Sequence, residues 1–303
     1  MRITVAMTVL LCAAWAVARA DAPDAADAAA ASAPAPAAVD SAGKNAMAAM
    51  QRGPQTIVLK DQARLALPDG YGFVPNPQAA ALMESSGNTV DQRFIGLVLP
   101  LSAEHWFATI EYDPSGHVAD DEAKDWDADA LLKNLRDGTE AANAHRKEIG
   151  VPPIEVTRWV ERPAYDAATH RLVWSAEVQE KDAPAGRDPS INYNTYVLGR
   201  EGYISLDLVT SASAIDAHKA AARELLAAVT FEDGKRYEQF DSSTDHIAAY
   251  GIAALIGGIA AKKLGLLALA GAFLAKFAKV IILAAAAAAG AIAKFLKRDK
   301  NAP

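Results

Sequence analysis

The sequence is poor in the residues that build most recognisable active sites. Its only cysteine, Cys12, lies in a segment expected to be removed on export, so the mature chain has no disulfide and no thiol nucleophile. None of the six histidines forms a close pair such as H-E-x-x-H, and the chain has neither a phosphate-binding glycine loop nor a G-x-S-x-G turn. We therefore expect no cofactor and favour a non-enzymatic role, while leaving catalysis open.

Basic residues are scarce outside the C-terminal end. Residues 247–303 contain eight lysines or arginines against the single acid Asp299, a net charge of +7, whereas residues 1–246 carry −14. The acidic part has no basic face that would meet phosphates, which argues against nucleic-acid binding. The basic end suits the anionic headgroups of a lipid bilayer.

The N-terminal end has the pattern of an export signal. Arg2 is followed by an apolar run over residues 3–17 and by an A-x-A cleavage motif at residues 18–20. We predict a signal peptide over residues 1–20, with an uncleaved anchor as the alternative. Residues 21–52 are rich in alanine and proline and lack bulky side chains, so we expect a disordered leader.

The C-terminal end contains the longest apolar runs of the chain. We predict a membrane anchor over residues 244–298 with helices at about 247–270 and 276–296, followed by a tail at 299–303. One span plus a helix lying on the membrane is the alternative. Together with the signal peptide, this places the main domain in the periplasm and the anchor in a bacterial inner membrane. The small residues of the anchor would also allow packing between copies, as a homo-oligomer.

Several polar or aromatic side chains of this anchor are expected at the membrane interface. They are Tyr250, Lys262, Lys263, Lys276, Lys279, Lys294, Lys297 and Arg298.

Residues 53–243 have the alternation of a folded α+β domain. Short alternating segments separated by hairpin-length connections predict a mainly antiparallel sheet, and residues 130–149 and 213–229 predict its two main helices.

Five phrases carry a resemblance to a known family. They are LALPDGYGFVP, GHVADDEAKDWDADALLKNLRDGTEAANAHRKEIG, WVERPAYDAATHRLVWSAE, INYNTYVLGREGYISLDLV and DHIAAYGIAALIGGIAAKKLGLLA. Together they resemble a bacterial family of predicted membrane-anchored proteins, domain-of-unknown-function family 2167, over about residues 53–296. The resemblance implies a signal peptide, an exported domain and a C-terminal anchor, and it supplies no catalytic residues. The order of the elements also resembles the PsbP/Mog1-type α/β/α sandwich.

A polar and aromatic strand is the first candidate for binding. Alternation puts Tyr193 on one face of the strand, and Asn192 and Asn194 on the other. The functional interpretation is a ligand-contacting surface shared with Asn143 and Arg146 of the long helix. Arg200, at the following turn, belongs to the same candidate set. The alternative is a strand with one core face and one polar face.

An acidic stretch before the long helix is the second candidate. Asp120, Asp121 and Glu122 offer the oxygen ligands that hard cations prefer, but their spacing departs from a calcium-binding loop. Acidic residues also favour a helix N-terminus, so we predict a solvated helix start and no metal site.

Three functional hypotheses follow. The leading one is a membrane-anchored envelope protein whose periplasmic domain binds another protein or an envelope ligand. The second is an envelope hydrolase that uses the carboxylate cluster with a distant histidine. The third is a membrane-active or pore-forming C-terminal segment.

Overall fold

A computed structural model describes residues 36–257 of the chain, apart from 87, 149 and 185. The elements in chain order are α1 (Pro36–Ala49), β1 (Gln51–Arg52), β2 (Gln55–Leu59), β3 (Ala63–Leu67), β4 (Tyr71–Pro75), α2 (Gln78–Ser85), β5 (Phe94–Pro100), β6 (Phe107–Asp113), α3 (Ala128–Glu148), β7 (Ile154–Asp166), β8 (Arg171–Glu180), β9 (Ser190–Leu198), β10 (Tyr203–Ser211), α4 (Ile215–Ala227), β11 (Val229–Phe231) and α5 (Ala254–Gly257).

Two antiparallel sheets form the domain. The large sheet has the strand order β1-β4-β5-β6-β10-β9-β8-β7, and the small one has the order β11-β3-β2. Every pairing between named strands is antiparallel. The predicted fold class, α+β with a mainly antiparallel sheet, is confirmed.

The large sheet is covered on both faces. Helix α4 and the small sheet cover one face, where Tyr193, Ile204 and Leu225 are buried. On the other face, two separate apolar clusters cover the two ends of the sheet. Helices α1 and α2 pack on β4 and β5, while α3 and residues 248–256 pack over β8.

The acidic stretch before α3 contains the cap of that helix. Asp127 Oδ1 accepts hydrogen bonds from the backbone N–H groups of Asp129 (2.9 Å) and Ala130 (3.2 Å). A side-chain oxygen at this position satisfies amides that have no partner within the helix. This part of the stretch therefore has a local structural role.

Residues 241–257 form a segment that we call the C-terminal strap. Its backbone pairs in parallel with His117: His117 N–H donates to the carbonyl of His246 (2.8 Å), and Ala248 N–H donates to the carbonyl of His117 (2.9 Å). Ile252 and Ile256 are buried in the α3 cluster, and the indole N–H of Trp174 donates to the carbonyl of Leu255 (3.2 Å).

The strap overlaps the start of the predicted membrane anchor. Within the first predicted helix, 247–270, the residues that are buried in the domain core include Ala248, Ile252, Leu255 and Ile256. The rest of that helix and the whole of 276–296 lie outside the described residues, as does the predicted signal peptide. Within the described part of the chain, no helix is long and apolar enough to cross a membrane.

The predicted leader is partly structured. Residues 36–49 are helix α1, with Ala46 buried against α2, and Gln51 and Arg52 pair with Phe73 and Gly72 of β4. Residues 21–35 lie outside the described residues.

Candidate functional site

Asn143 and Arg146 of α3 have structural partners. The Asn143 side chain is 2 % exposed and exchanges two hydrogen bonds with the backbone of Ile154, at 2.8 and 2.9 Å. Arg146 Nε donates to the carbonyl of Pro152 at 2.9 Å. Both side chains thus join the end of α3 to the start of β7, and these contacts do not involve β9.

Arg200 holds the strap. Its guanidinium makes a bidentate ion pair with Asp245, with Nε–Oδ2 at 2.6 Å and Nη2–Oδ1 at 2.8 Å. The Asp245 side chain is 7 % exposed, and its hydrogen bonds to Arg200 hold the pKa of that carboxyl well below its usual range. The geometry gives Arg200 a structural partner within the chain itself.

Tyr193 faces α4 and is fully buried. Its hydroxyl donates to Glu161 Oε2 at 2.7 Å and accepts from Arg223 Nε at 3.0 Å, while Arg223 Nη2 lies 2.6 Å from Glu161 Oε1. Glu161 and Arg223 line an open cleft of about 300 Å³ that Arg171 also borders. The Glu161 and Arg223 charges pair with one another, so a ligand in this cleft would have to compete with that ion pair for either charge.

Asp120 joins a second polar cluster beside the strap. The Tyr165 hydroxyl donates to Asp120 Oδ2 at 2.7 Å and lies 3.1 Å from His170 Nδ1. His117 stacks on Tyr237 at 4.2 Å between ring centroids. Burial lowers the pKa of His117. The structure therefore brings Asp120 to a histidine, as the hydrolase hypothesis requires.

The other two acids of this stretch do not join that cluster. Asp121 is exposed and lies 3.6 Å from Lys124, and the Glu122 carboxylate packs beside Gly251. Within the described residues, no group of three or more potential ligand side chains is arranged to hold a metal ion.

The other face of β9 contributes to a polar surface in the middle of the large sheet. We call it the polar strip, and it consists of Thr109, Glu111, Asn192, Asn194, Ser205 and Asp207. It runs across β6, β10 and β9, on the face that carries the α3 cluster and the α1–α2 cluster.

The strand register fixes which side chains of the strip are neighbours. Asp207 of β10 lies opposite Thr109 of β6 on one side and opposite Asn194 of β9 on the other. Two residues earlier in β10, Ser205 lies opposite Glu111. Opposite side chains on one face of a sheet have Cβ atoms about 5 Å apart, so these groups can contact a common ligand.

The electrostatics of the strip are unfavourable for folding. Burial and the negative charge of Glu111 raise the pKa of Asp207 well above its usual range. Asp207 Oδ1 is buried, and no hydrogen-bond partner for it exists among the described residues. A buried polar atom without a partner costs about 1–3 kcal/mol. Perturbed carboxyls of this kind are typical of functional sites.

The sequence predicted only part of this surface. Asn192 and Asn194 were predicted on the face opposite Tyr193, and they are found there. Glu111 and Asp207 were missed because each is a single acid at an alternating polar position of a strand, in ATIEYD and YISLDLVTS. A carboxylate in the middle of a central strand is the signal that indicates them.

Of the predicted membrane-interface residues, only Tyr250 belongs to the described part of the chain. It is half-buried and packs against the α3 cluster. The remaining seven, Lys262, Lys263, Lys276, Lys279, Lys294, Lys297 and Arg298, lie outside the described residues.

Comparison with known families confirms the predicted resemblance. The family model described as protein of unknown function (DUF2167) matches residues 51–286, and the chain belongs to this family. No curated protein matches the chain.

Solved structures with a similar arrangement are distant. Cyanobacterial PsbP (CyanoP) from Synechocystis sp. PCC 6803 is 12 % identical, with a TM-score of 0.36 over 61 % of this chain and 94 % of that one. The Ran-binding protein Mog1p of Saccharomyces cerevisiae is 10 % identical, with a TM-score of 0.35 over 63 % of this chain and 100 % of that one. With such low scores, neither likeness carries an argument about this chain.

Proposed function

We propose that this member of the DUF2167 family is a membrane-anchored envelope protein whose α+β domain binds a protein or envelope ligand on the polar strip. The observation that carries the binding role is Asp207, an acid on a central strand whose Oδ1 is buried with no hydrogen-bond partner among the described residues. A buried polar atom without a partner costs stability. A role in recognition accounts for that cost.

The anchoring part of the proposal rests on the sequence. The export signal and the apolar C-terminal runs support it, together with the positive charge of residues 247–303. Because the buried residues of the strap extend to Gly257, we place the start of any membrane-spanning segment after Gly257. The strap is then the connection between the domain and the anchor.

Two measurements on the full-length protein in bacterial cells test this function. We expect the protein to remain in carbonate-washed membranes, and its domain to be digested by protease in spheroplasts but not in intact cells. A domain that stays protected in spheroplasts would refute the periplasmic location.

The binding role is tested by crosslinking in the same cells. We expect the wild type to capture a partner that Glu111→Gln and Asp207→Asn do not capture. The control variant Asp182→Asn, which changes an exposed acid beyond β8, should capture it as the wild type does. Equal capture by all four proteins would exclude the polar strip as the binding surface.

A second candidate function, an envelope hydrolase, is favoured by one observation. The raised pKa of Asp207 is the property that a general acid needs, and Glu111 lies on the adjacent strand as a second carboxyl. Turnover of an envelope ester or glycan that is abolished by both Glu111→Gln and Asp207→Asn would support it, whereas unchanged turnover would exclude it.

A further inference from the structure

A small cleft beside the β7–β8 hairpin has a lining that suits an anion. Its volume is about 130 Å³, well below the roughly 300–1,000 Å³ of sites that enclose a drug-sized molecule, so it admits only a small ligand. Arg171 and Arg236 line it with two guanidinium groups, and Glu238 contributes one carboxylate, which is exposed to solvent. The residues of the polar strip do not line this cleft, so it is a separate site.

Arg171 forms no ion pair with a described residue. Its Nη2 donates to two backbone carbonyls, that of Val229 at 3.1 Å and a second at 3.5 Å, and its Nε is buried without a hydrogen-bond partner among the described residues. Asp166 lies opposite in the strand register and attracts Arg171, but its carboxylate accepts hydrogen bonds from its own turn, including one from the Thr169 hydroxyl at 2.7 Å. An anion can therefore pair with this guanidinium without displacing an existing ion pair.

Arg236 supplies the second guanidinium from the loop after β11. Its side chain is 48 % exposed, and its Nη2 lies 3.8 Å from Asp233 Oδ1, a surface contact that contributes little to stability. The backbone of Arg236 is held more firmly, because its N–H donates to Gln239 Oε1 at 3.0 Å and its carbonyl accepts from Gln239 N–H at 3.1 Å. A ligand thus competes only with a weak surface pair for the charge of Arg236.

His170 lines the same cleft and is held in one tautomer. The Tyr165 hydroxyl donates its proton to Asp120 Oδ2 at 2.7 Å and lies 3.1 Å from His170 Nδ1. Because that hydroxyl has a single proton, Nδ1–H of the neutral imidazole is the donor in the second contact, and the lone pair lies on Nε2. The ring stacks on Tyr237 at 4.2 Å between centroids, and Nε2 has no hydrogen-bond partner among the described residues.

The backbone of His170 also indicates a role for its side chain. Its φ is +52°, in the left-handed region that favours glycine and that costs free energy in most other residues. The His170 carbonyl accepts from Leu198 N–H at 2.9 Å, which holds the turn in this conformation. Glycine would form the same turn without strain, so the use of the imidazole accounts for histidine at this position.

An acceptor in the same cleft as two cationic donors selects an anion that retains a proton. Hydrogen phosphate keeps one hydroxyl at neutral pH, which can donate to Nε2 while its other oxygens accept from guanidinium groups. Sulfate and carboxylate ions have no such proton, and a phosphate monoester loses most of its second proton above a pKa of about 6. Each of these ions would set an oxygen lone pair against that of Nε2.

We infer that this cleft binds free hydrogen phosphate. Arg171 and Arg236 donate charge-assisted hydrogen bonds to two of its oxygens, and its hydroxyl donates to His170 Nε2. The relay from Asp120 through Tyr165 holds the imidazole in the tautomer that accepts this proton. The domain then has an inorganic-phosphate site in addition to the binding surface proposed above.

Isothermal titration calorimetry of the full-length protein in a maltoside detergent tests this inference at pH 8, where imidazole is normally neutral. The titrants are phosphate, sulfate and glycerol 3-phosphate. We expect saturable binding of phosphate, with sulfate and the ester weaker by at least about tenfold, the effect of losing one hydrogen bond to a charged group. In the ¹⁵N NMR spectrum of the histidine-labelled protein, phosphate but not sulfate should shift the Nε2 signal of His170.

Variants establish that binding belongs to the cleft. Arg171→Gln and Arg236→Gln should each weaken phosphate binding by at least about tenfold. Arg52→Gln, which changes an exposed arginine of β1, should bind phosphate as the wild type does. His170→Gly should bring the affinities for phosphate and sulfate to within about twofold of one another, because it removes the acceptor, and His105→Gly at an exposed position is its control.

Thermal melting of each variant shows that it is folded. Arg236→Gln changes a half-exposed side chain, so it still tests the site if Arg171→Gln does not fold. The inference is overturned if phosphate does not bind, if sulfate or glycerol 3-phosphate binds as tightly, or if Arg236→Gln binds phosphate unchanged. A preference for phosphate that survives in His170→Gly overturns the role of Nε2. None of these results depends on the polar strip, so the phosphate site and the proposed function stand or fall separately.

Discussion

The acidic side chain of Asp207 is the residue where stability and recognition conflict most directly. Its pKa is raised in the folded protein, so the folded state holds the proton more tightly than the unfolded chain does. The stability that this confers is fully present below the unfolded pKa of about 3.9 and is lost as the pH rises towards the folded pKa. At neutral pH the side chain therefore costs stability.

We predict that Asp207→Asn stabilises the domain at neutral pH. The amide cannot ionise, so the gain should be close to zero near pH 3.5 and should grow by up to about 1.4 kcal/mol for each pH unit above 4, until the folded pKa is passed. Urea unfolding between pH 3.5 and 7.5 measures it, with Asp182→Asn as the control. A gain that is the same at every pH would contradict the ionisation argument.

Arg200 lies beside an acid of opposite charge, so it stabilises the ionised form of Asp245. We predict that Arg200→Ala lowers the free energy of unfolding at neutral pH, since it leaves the Asp245 carboxylate without its ion pair. The free energy of unfolding of Arg200→Lys should fall between those of the wild type and Arg200→Ala, because an ammonium keeps the charge but cannot form the bidentate contact. The pKa of Asp245 is lowered, so this contribution is present above the unfolded pKa and fades as the pH falls below about 4.

A double-mutant cycle checks the pair. The effects of Arg200→Ala and Asp245→Ala should be non-additive at pH 7, and the coupling between them should diminish in acid. Additive effects at pH 7 would mean that the ion pair does not help to hold the strap, which its apolar contacts and backbone hydrogen bonds would then hold.

Substitutions in the strap can test whether this apolar segment belongs to the domain core or to the membrane. Ile252 is 0 % exposed in the α3 cluster, whereas Ile247 is 52 % exposed in the same segment. We predict that Ile252→Ala costs about 2–4 kcal/mol of domain stability and that Ile247→Ala changes it by less than about 0.5 kcal/mol. Chemical unfolding of the full-length protein measures both. Equal, small effects would place residues 247–257 outside the domain core.

The strap also shows why the sequence pattern did not predict that this apolar segment packs in the domain. Hydropathy is the same for an apolar segment that is buried in a domain and for one that enters a bilayer, and what decides between them is the partner. Here the partner is the backbone around His117, about 130 residues earlier in the chain, which the local sequence does not reveal. Alternation within a strand is local: the alternation of residues 63–67 predicts a strand with these bounds, and β3 (Ala63–Leu67) has them.

Strand β7 is longer than the strand that the sequence predicts. The alternation predicts a strand over residues 154–160. Pro163 follows this segment, and proline cannot donate a hydrogen bond to a neighbouring strand. The strand continues to Asp166 because the register shifts between Glu161 and Ala164, and a bulge on an edge strand tolerates the missing donor. The polar strip has a similar origin: its acids lie on strands that are far apart in sequence and adjacent only in the sheet.

For the whole molecule, the strap divides the chain into a part needed for folding and a part needed for attachment. Loss of the strap removes the buried side chains of Ile252, Leu255 and Ile256 from the α3 cluster, together with the Arg200–Asp245 ion pair. At about 1.5–3 kcal/mol for each large apolar side chain, this exceeds about 4 kcal/mol, a large share of the 5–15 kcal/mol that is typical of a domain.

We therefore predict that a chain ending at Gly257 keeps the cooperative unfolding transition of the domain, whereas a chain ending at Phe240 is largely unfolded or digested by protease. Under the anchoring proposal, both shortened chains leave the membrane fraction and the full-length chain remains in it. Circular dichroism melting and limited proteolysis measure folding, and sedimentation of washed membranes measures attachment. A stable domain without the strap would contradict its place in the core. Membrane retention of the chain ending at Gly257 would mean that attachment does not need residues 258–303, and the anchor would have to be sought upstream of the domain.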